Sequence, residues 1–191
     1  SYLSTVFFNN FARMKIGVFC SANNQIDADY FRLTEELGAW MAREGHSVVY
    51  GGCNCGLIET IGKAVHDGGQ MAIGVVPRIV EKGGRVSSSV DVNIACDNLS
   101  DRKDLILAQS DVLIALPGGI GTLDEVFTVA ASHTIGYHAK MVILYNMNGF
   151  YDSLIALLND LQGRGMIRGK WTDYIQVATS LDEIAALIAR I

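Results

Sequence analysis

Val112-Leu113-Ile114-Ala115-Leu116, followed at once by Pro117-Gly118-Gly119-Ile120-Gly121-Thr122-Leu123-Asp124-Glu125, is the passage on which the reading of this chain turns. The first five residues form an apolar run of strand length. From Thr122 to about Thr134 the pattern is helical, so Gly118, Gly119 and Gly121 occupy a strand-to-helix turn. Glycines there let the backbone take positive φ and approach a ligand closely. The opening amides of such a helix lack internal partners and sit at the positive end of its dipole, which suits a phosphate. Thr122 is read as adding a hydroxyl at the cap, and Glu125 stands about one turn further on. An anion cradle with a carboxylate beside it reads as a reaction site. The plain alternative is a tight turn in which Asp124 and Glu125 only complement the dipole, since glycine-rich turns are common in α/β folds.

Upstream of this passage, Lys15 to Cys20 reads as a buried strand ending in the polar turn Ser21-Ala22-Asn23-Asn24. A helix follows, with Asp27 or Asp29 as cap and Phe31, Leu33, Thr34, Leu37, Trp40 and Met41 on its apolar face. Ser47 to Tyr50 is a second strand, and Gly51-Gly52-Cys53-Asn54-Cys55-Gly56 is a second glycine-rich loop, entering a helix from Leu57 to about His66. Met71 to Val76 is a third strand, stopped by Pro77. The stretch from Arg78 to Val90 reads as an irregular loop of the kind that covers a ligand. Val92 to Ala95 is a short strand, and a helix runs from near Ser100 to Ser110 with Leu105, Ile106 and Ala108 inward. Beyond the central passage come a strand at Met141 to Tyr145, a helix at Tyr151 to Leu161, a strand at Ile175 to Val177 and a helix at Asp182 to Ile191 after a Ser180 cap.

Strand and helix alternate throughout, which predicts an α/β fold: a doubly wound parallel sheet with helices on both faces. Right-handed crossovers then bring Ser21, Gly51 to Gly56, Pro77-Arg78 and Pro117 to Thr122 to one crevice. Residues 1–13 are read as an N-terminal extension and residues 14–191 as a single domain.

Bulk properties narrow the partners. A formal net charge of −5 argues against non-specific nucleic-acid or anionic-membrane binding. No apolar run reaches the length that spans a bilayer. Half the residues are hydrophobic and only 18% are charged, a balance that points to apolar surface covered by a second subunit. Residues 1–13 lack the basic start of a secretory signal, which points to the cytoplasm and to reduced thiols at Cys20, Cys53, Cys55 and Cys96. Cys53-Asn54-Cys55 is one residue short of the usual zinc or redox spacer, and His133 and His138 are ill-spaced as helical ligands, so no metal is expected.

Neither glycine loop is followed by Gly-Lys-Ser/Thr, so neither is a Walker P-loop, and the turn after the first strand lacks the spaced glycines of a dinucleotide site, so a mononucleotide is the better ligand. Arg102-Lys103 begins a helix, where cations oppose the dipole. They are read as a phosphate clamp or a partner for Glu125, against the alternative of a solvated basic pair. No lysine has a context that suggests a Schiff base.

Tyr50-Gly51-Gly52, Asp101-Arg102-Lys103 and Pro117 to Glu125, the last a PGGxGTxxE motif, resemble the LONELY GUY family of cytokinin-activating phosphoribohydrolases, once labelled lysine decarboxylase-like. The resemblance spans about Met14 to Ile191. It implies a Rossmann-like homodimer, without cofactor, that hydrolyses the N-glycosidic bond of an adenine-type nucleoside 5′-monophosphate to free base and ribose 5-phosphate. Carried over, Arg102 and Glu125 match the catalytic pair. Lys103, Gly118, Gly119, Gly121, Thr122 and Asp124 match substrate and phosphate contacts, with Ser21, Gly51 and Gly52 beside them. A carboxylate would stabilise an oxocarbenium-like state, or position or deprotonate water. Arg102 would hold Glu125 ionised or orient the ribose. Three places depart from the family pattern: Ser21-Ala22 after the first strand, Ala131-Ser132-His133-Thr134 after the catalytic helix, and the Arg78 to Val90 loop. They bear on the base and the subunit seam. The competing reading is a nucleotide-binding sensor or carrier without turnover.

Overall fold

Successive residues of a strand point to opposite faces of the sheet, so wholly apolar strands require cover on both sides. The computed structural model, which describes residues 12–191, supplies that cover. Seven strands, β1 (Lys15–Phe19), β2 (Ser47–Tyr50), β3 (Ala72–Pro77), β4 (Val92–Cys96), β5 (Val112–Ala115), β6 (Val142–Tyr145) and β7 (Ile175–Ala178), form one parallel sheet in the order β4-β3-β2-β1-β5-β6-β7.

The alternation sorts the core into two layers. Ile16, Tyr50 and Ile114 meet Leu37, Ile61 and Ile184 from α1 (Ala28–Arg43), α2 (Gly56–Asp67) and α7 (Leu181–Ile188). Phe19, Val49 and Leu113 meet Ile106, Val126 and Leu158 from α4 (Leu99–Gln109), α5 (Ile120–Thr134) and α6 (Asp152–Gly163). The chain winds outward from β1 through β2, β3 and β4, then returns to place β5 on the other side of β1. That reversal opens a crevice at the carboxyl ends of β1 and β5, where ligands of such sheets bind.

Caps set the helix starts. Asp27 accepts from the Asp29 amide at 2.9 Å, Asn98 from the Asp101 amide at 2.9 Å and Ser180 from the Glu183 amide at 3.2 Å. Gly45, at φ +80°, closes α1.

Two expectations differ from the structure. The stretch expected as an irregular loop begins with a short helix, α3 (Arg78–Lys82), ended by Gly83, and Val86 then bridges Cys53 in antiparallel fashion. Ala108, expected inward, is exposed, because α4 turns only Ile106 fully into the core. The extension expected at residues 1–13 lies, up to residue 11, outside the described residues. Among the described residues, no helix is long and apolar enough to cross a membrane.

The α2 helix lies very close to the sheet. A Cβ on Gly62 would stand 2.2 Å from the Tyr50 hydroxyl oxygen, and Tyr50 is wholly buried. Gly62→Ala should therefore cost about 1–3 kcal/mol through overpacking. Gly163→Ala, where a Cβ meets nothing within 4 Å, should not destabilise. Urea denaturation of the two variants checks this, and equal midpoints would contradict it.

Candidate active site

Two glycine-rich turns reach the crevice, and the hydrogen bonding at their helices sets them apart. At the start of α2 the Gly56 amide donates to Asn24 Oδ1 at 2.7 Å and the Leu57 amide to the Ser21 carbonyl at 2.9 Å. The chain itself closes that helix end. At the start of α5, Gly119 is the cap residue without any side-chain cap, and the first helical bond runs from the Leu123 amide to the Gly119 carbonyl at 3.0 Å. The amides of Ile120, Gly121 and Thr122 are therefore without partners among the described residues. Backed by the helix dipole, unpaired amides of this kind suit an anion.

Thr122, expected at the cap, lies inside the first turn instead, because the helix opens two residues earlier at Ile120. Its hydroxyl packs over Gly118, where a Cβ would come within 2.0 Å of Thr122 Oγ1. Gly118 thus makes room for Thr122 and does not line the cavity. Gly52, at φ +69°, also stands off it, packed against Val76 and Gly74.

A cavity of about 390 Å³ opens before α5, with Ser21, Gly51, Arg102, Gly119, Gly121, Thr122 and Glu125 in its lining and Cys20 and Ile58 among its apolar walls. Its size falls within the range of small-ligand sites. The walls are tied to one another. The Ser21 amide donates to the Pro117 carbonyl at 3.0 Å and the Leu116 amide to the Phe19 carbonyl at 2.9 Å. The buried Tyr151 hydroxyl donates to the Leu116 carbonyl at 2.5 Å, bracing the strand just before the glycine turn.

Arg102 and Lys103, adjacent in sequence, do different things. Arg102 Nε donates to the Val75 carbonyl at 3.1 Å and Nη2 to the Gly51 carbonyl at 2.9 Å, so the guanidinium is fixed across the ends of β2 and β3. A guanidinium carries five N–H donors, and these two contacts leave the others for the cavity. Lys103, expected at the substrate, instead grips Asp124, with Nζ at 2.9 and 3.1 Å from the two carboxylate oxygens. Neither residue lines the cavity; the pair clamps α4 to α5, one turn from the open end of α5.

Glu125 is largely buried in the wall, and no ion pair joins it to Arg102 among the described residues. Burial pushes its carboxyl up to about 7, with Arg102 opposing the rise and Asp124 adding to it. Beneath it, burial raises the Cys20 thiol well above its ordinary value, and the Glu125 charge adds to the effect. A carboxylate with such a pKa can hold or release a proton near neutrality. The histidines stand elsewhere. His133 meets the Tyr174 ring edge-on at 5.3 Å, and His138 Nδ1 accepts from the Lys140 amide at 2.9 Å. Among the described residues, no group of three or more His, Cys, Asp or Glu side chains is placed to hold a metal.

Asn24, Cys20, Ile58 and Tyr151 are site or support residues that the sequence reading passed over. Asn24 is 32 positions from the amide it closes and Tyr151 is 35 from its carbonyl, so no local pattern could announce either.

The fold and the cavity define a class: a doubly wound parallel α/β protein in which an open helix end and a largely buried carboxylate line one cavity. Residues 58–188 match the family described as possible lysine decarboxylase. Cytokinin riboside 5′-monophosphate phosphoribohydrolase LOG2 of Arabidopsis thaliana is 30% identical over 174 residues, 91% of this chain and 82% of that protein. LOG3 of the same plant is 32% identical, over 89% of this chain and 79% of its own length. The chain belongs to this family, the one whose plant members carry the LOG name. Among solved structures, the molybdenum cofactor binding protein of Rippkaea orientalis superposes with a TM-score of 0.73 at 24% identity, covering 93% of this chain and 96% of that one. The molybdenum cofactor carrier protein of Chlamydomonas reinhardtii does so with a TM-score of 0.71 at 23% identity, over 93% and 97%. At those identities the likeness concerns the fold.

The raised carboxyl has a consequence for stability. A folded-state pKa near 7, against 4.5 for the free group, means the native state holds the proton more tightly. Its stabilising contribution is complete below about pH 4.5 and is lost as pH rises through 7, by roughly 3 kcal/mol. Glu125→Gln should remove that loss. Urea midpoints at pH 5 and pH 8 should separate strongly in the parent and much less in the variant; equal separations would show that Glu125 ionises freely.

Proposed function

We propose that this protein hydrolyses the N-glycosidic bond of an adenine-type nucleoside 5′-monophosphate, a cytokinin riboside 5′-monophosphate or AMP, to free base and ribose 5-phosphate. One observation carries the reading: the open end of α5, through Gly119, Gly121 and Thr122, and the largely buried carboxylate of Glu125 line the same cavity. The names of the relatives agree with it.

The 5′-phosphate sits against the Ile120, Gly121 and Thr122 amides, which places the ribose along the first turn of α5, toward Glu125. As the bond from C1′ to the base nitrogen breaks, its electron pair leaves with the base and positive charge spreads over C1′ and the ring oxygen. Ionised Glu125 stabilises that charge from a site with little water to screen it. It also takes the proton of the water whose oxygen bonds to C1′ and passes it to the nitrogen of the departing base, so the water ends as hydroxyl on the sugar and hydrogen on the base. Arg102, held on two backbone carbonyls, orients the ribose with its remaining donors and draws Glu125 toward its charged form; one guanidinium fills both roles. Lys103 and Asp124 position the two helices. Among the described residues, the cavity lining contains Arg102 and Glu125 but no lysine, so these offer no amine for the Schiff base that a decarboxylase with an aldehyde cofactor needs.

A second copy of the chain is the proposed partner. Phe127, Ile135, Tyr137 and Met166 stand exposed on and beyond the outer side of α5, as apolar surface awaiting cover. Four free cysteines suit the reducing cytoplasm, the proposed compartment.

Glu125→Ala should lower release of free base from AMP or isopentenyl-adenosine monophosphate by about 10²–10⁴-fold, measured by chromatography, while AMP still binds. Undiminished turnover would remove Glu125 from the chemistry, and binding without release in the parent would favour a carrier. Turnover should rise with pH through about 7 as Glu125 ionises. Adenosine, with no phosphate for the α5 amides, should be a far poorer substrate than AMP; equal rates would contradict the phosphate site.

A further inference from the structure

The Cys53 and Cys55 sulfurs lie 3.1 Å apart. Both thiols are free and half-buried, whereas Cys20 and Cys96 are buried. The closeness follows from the backbone. Cys53 bridges Val86 in extended fashion, and Cys55 is extended at φ −145°, ψ 153°. Residues two apart on an extended chain point to one face. A single-residue spacer, unsuited to a helical pair, therefore brings the two sulfurs together here, with exposed Asn54 turned the other way.

The turn that carries them is tied to the cavity at both ends. Before Cys53, the Gly51 carbonyl holds Arg102 Nη2 and the Gly52 carbonyl accepts from the Ser87 amide at 2.8 Å. After Cys55, the amides of Gly56 and Leu57 go to Asn24 and Ser21. Gly56, at φ +58°, has no slack, since a Cβ there would meet the Ser21 carbonyl oxygen at 2.5 Å. A disulfide needs its sulfurs at about 2.05 Å, so bond formation draws the pair about 1 Å closer. That shift passes through Gly56 to the Ser21 turn and through Gly51 to Arg102.

We propose that Cys53 and Cys55 form a reversible dithiol–disulfide switch, oxidised by hydroperoxides, that weakens nucleotide binding in the adjacent cavity when the bond is made. The Cys55 thiolate attacks the peroxide oxygen, the O–O bond breaks, and an alcohol (or water) leaves with the proton, giving a sulfenic acid. Cys53 then attacks the Cys55 sulfur and water departs. In sum, two thiols and one hydroperoxide give one disulfide, one alcohol and one water, a two-electron oxidation that a dithiol reductant reverses. The 3.1 Å separation already places Cys53 Sγ beside the sulfur it attacks, and the Cys53 proton leaves with the departing hydroxide as water.

The choice of nucleotide as the affected ligand rests on the function proposed above; the switch itself does not. The test treats the protein with one equivalent of hydrogen peroxide, blocks remaining thiols with iodoacetamide under denaturing conditions and maps the labels by mass spectrometry. In parallel, amide hydrogen exchange is followed at Gly56 and Leu57, and AMP affinity by calorimetry. Cys53 and Cys55 should escape labelling together, Cys20 and Cys96 should be labelled, exchange at both amides should change, and the AMP Kd should weaken several-fold. Dithiothreitol should restore all three. Cys53→Ser and Cys55→Ser should each bind AMP equally with and without peroxide. The proposal is overturned if both thiols remain available, or if the disulfide forms and the affinity of a protein that binds AMP when reduced does not fall. Should AMP fail to bind the reduced protein, the nucleotide reading falls, and labelling and exchange still decide the switch.

Discussion

Three backbone amides at the start of α5 have nothing to bond to among the described residues, and the chain around them keeps them so. The contrast with α2 makes the point. Both helices follow a glycine-rich turn at the same edge of one sheet, but α2 has its first amides taken by Ser21 and Asn24. Only the α5 end stays open, with Gly119 offering no side chain to fill it. Unpaired amides at a helix terminus find either water or a ligand, and an anion gains the dipole as well. The ties from Ser21 to Pro117 and from Tyr151 to Leu116 hold that opening in place.

Close to that open helix end, the protein keeps a carboxylate whose ionisation is costly. Burial raises the Glu125 pKa, Asp124 reinforces the rise, and Arg102 offsets part of it without an ion pair. The arrangement spends folding stability at neutral pH on a group poised to respond when positive charge develops nearby. A directly paired carboxylate would be more stable and less responsive. Lys103 spends its direct contact on Asp124, so Arg102 opposes the rise more than Lys103 does.

The sheet and most helices were legible because their signals are local: apolar runs of strand length, three- and four-residue apolar spacing, and the caps at Asp27 and Ser180. The crevice was legible because strict alternation of strand and helix admits few topologies. What escaped the sequence was set by contacts distant along the chain. Thr122 resembles a cap, yet the glycines let α5 open two residues sooner. Lys103 and Asp124 are 21 positions apart, so their pairing leaves no trace in either neighbourhood. The short α3 hid in a segment whose glycines and serines read as loop, although Pro77 before it and Gly83 after it were start and stop signals of the ordinary kind. The cysteine spacing looked unpromising only on a helix; in an extended turn it places both sulfurs on one face.

A crystal structure of the Glu125→Gln variant with AMP bound addresses the central claim most directly. Phosphate oxygens should lie within hydrogen-bonding distance of the Ile120, Gly121 and Thr122 amides, with C1′ of the ribose facing the residue 125 side chain. A phosphate bound elsewhere, with the α5 amides still turned to solvent, would contradict it.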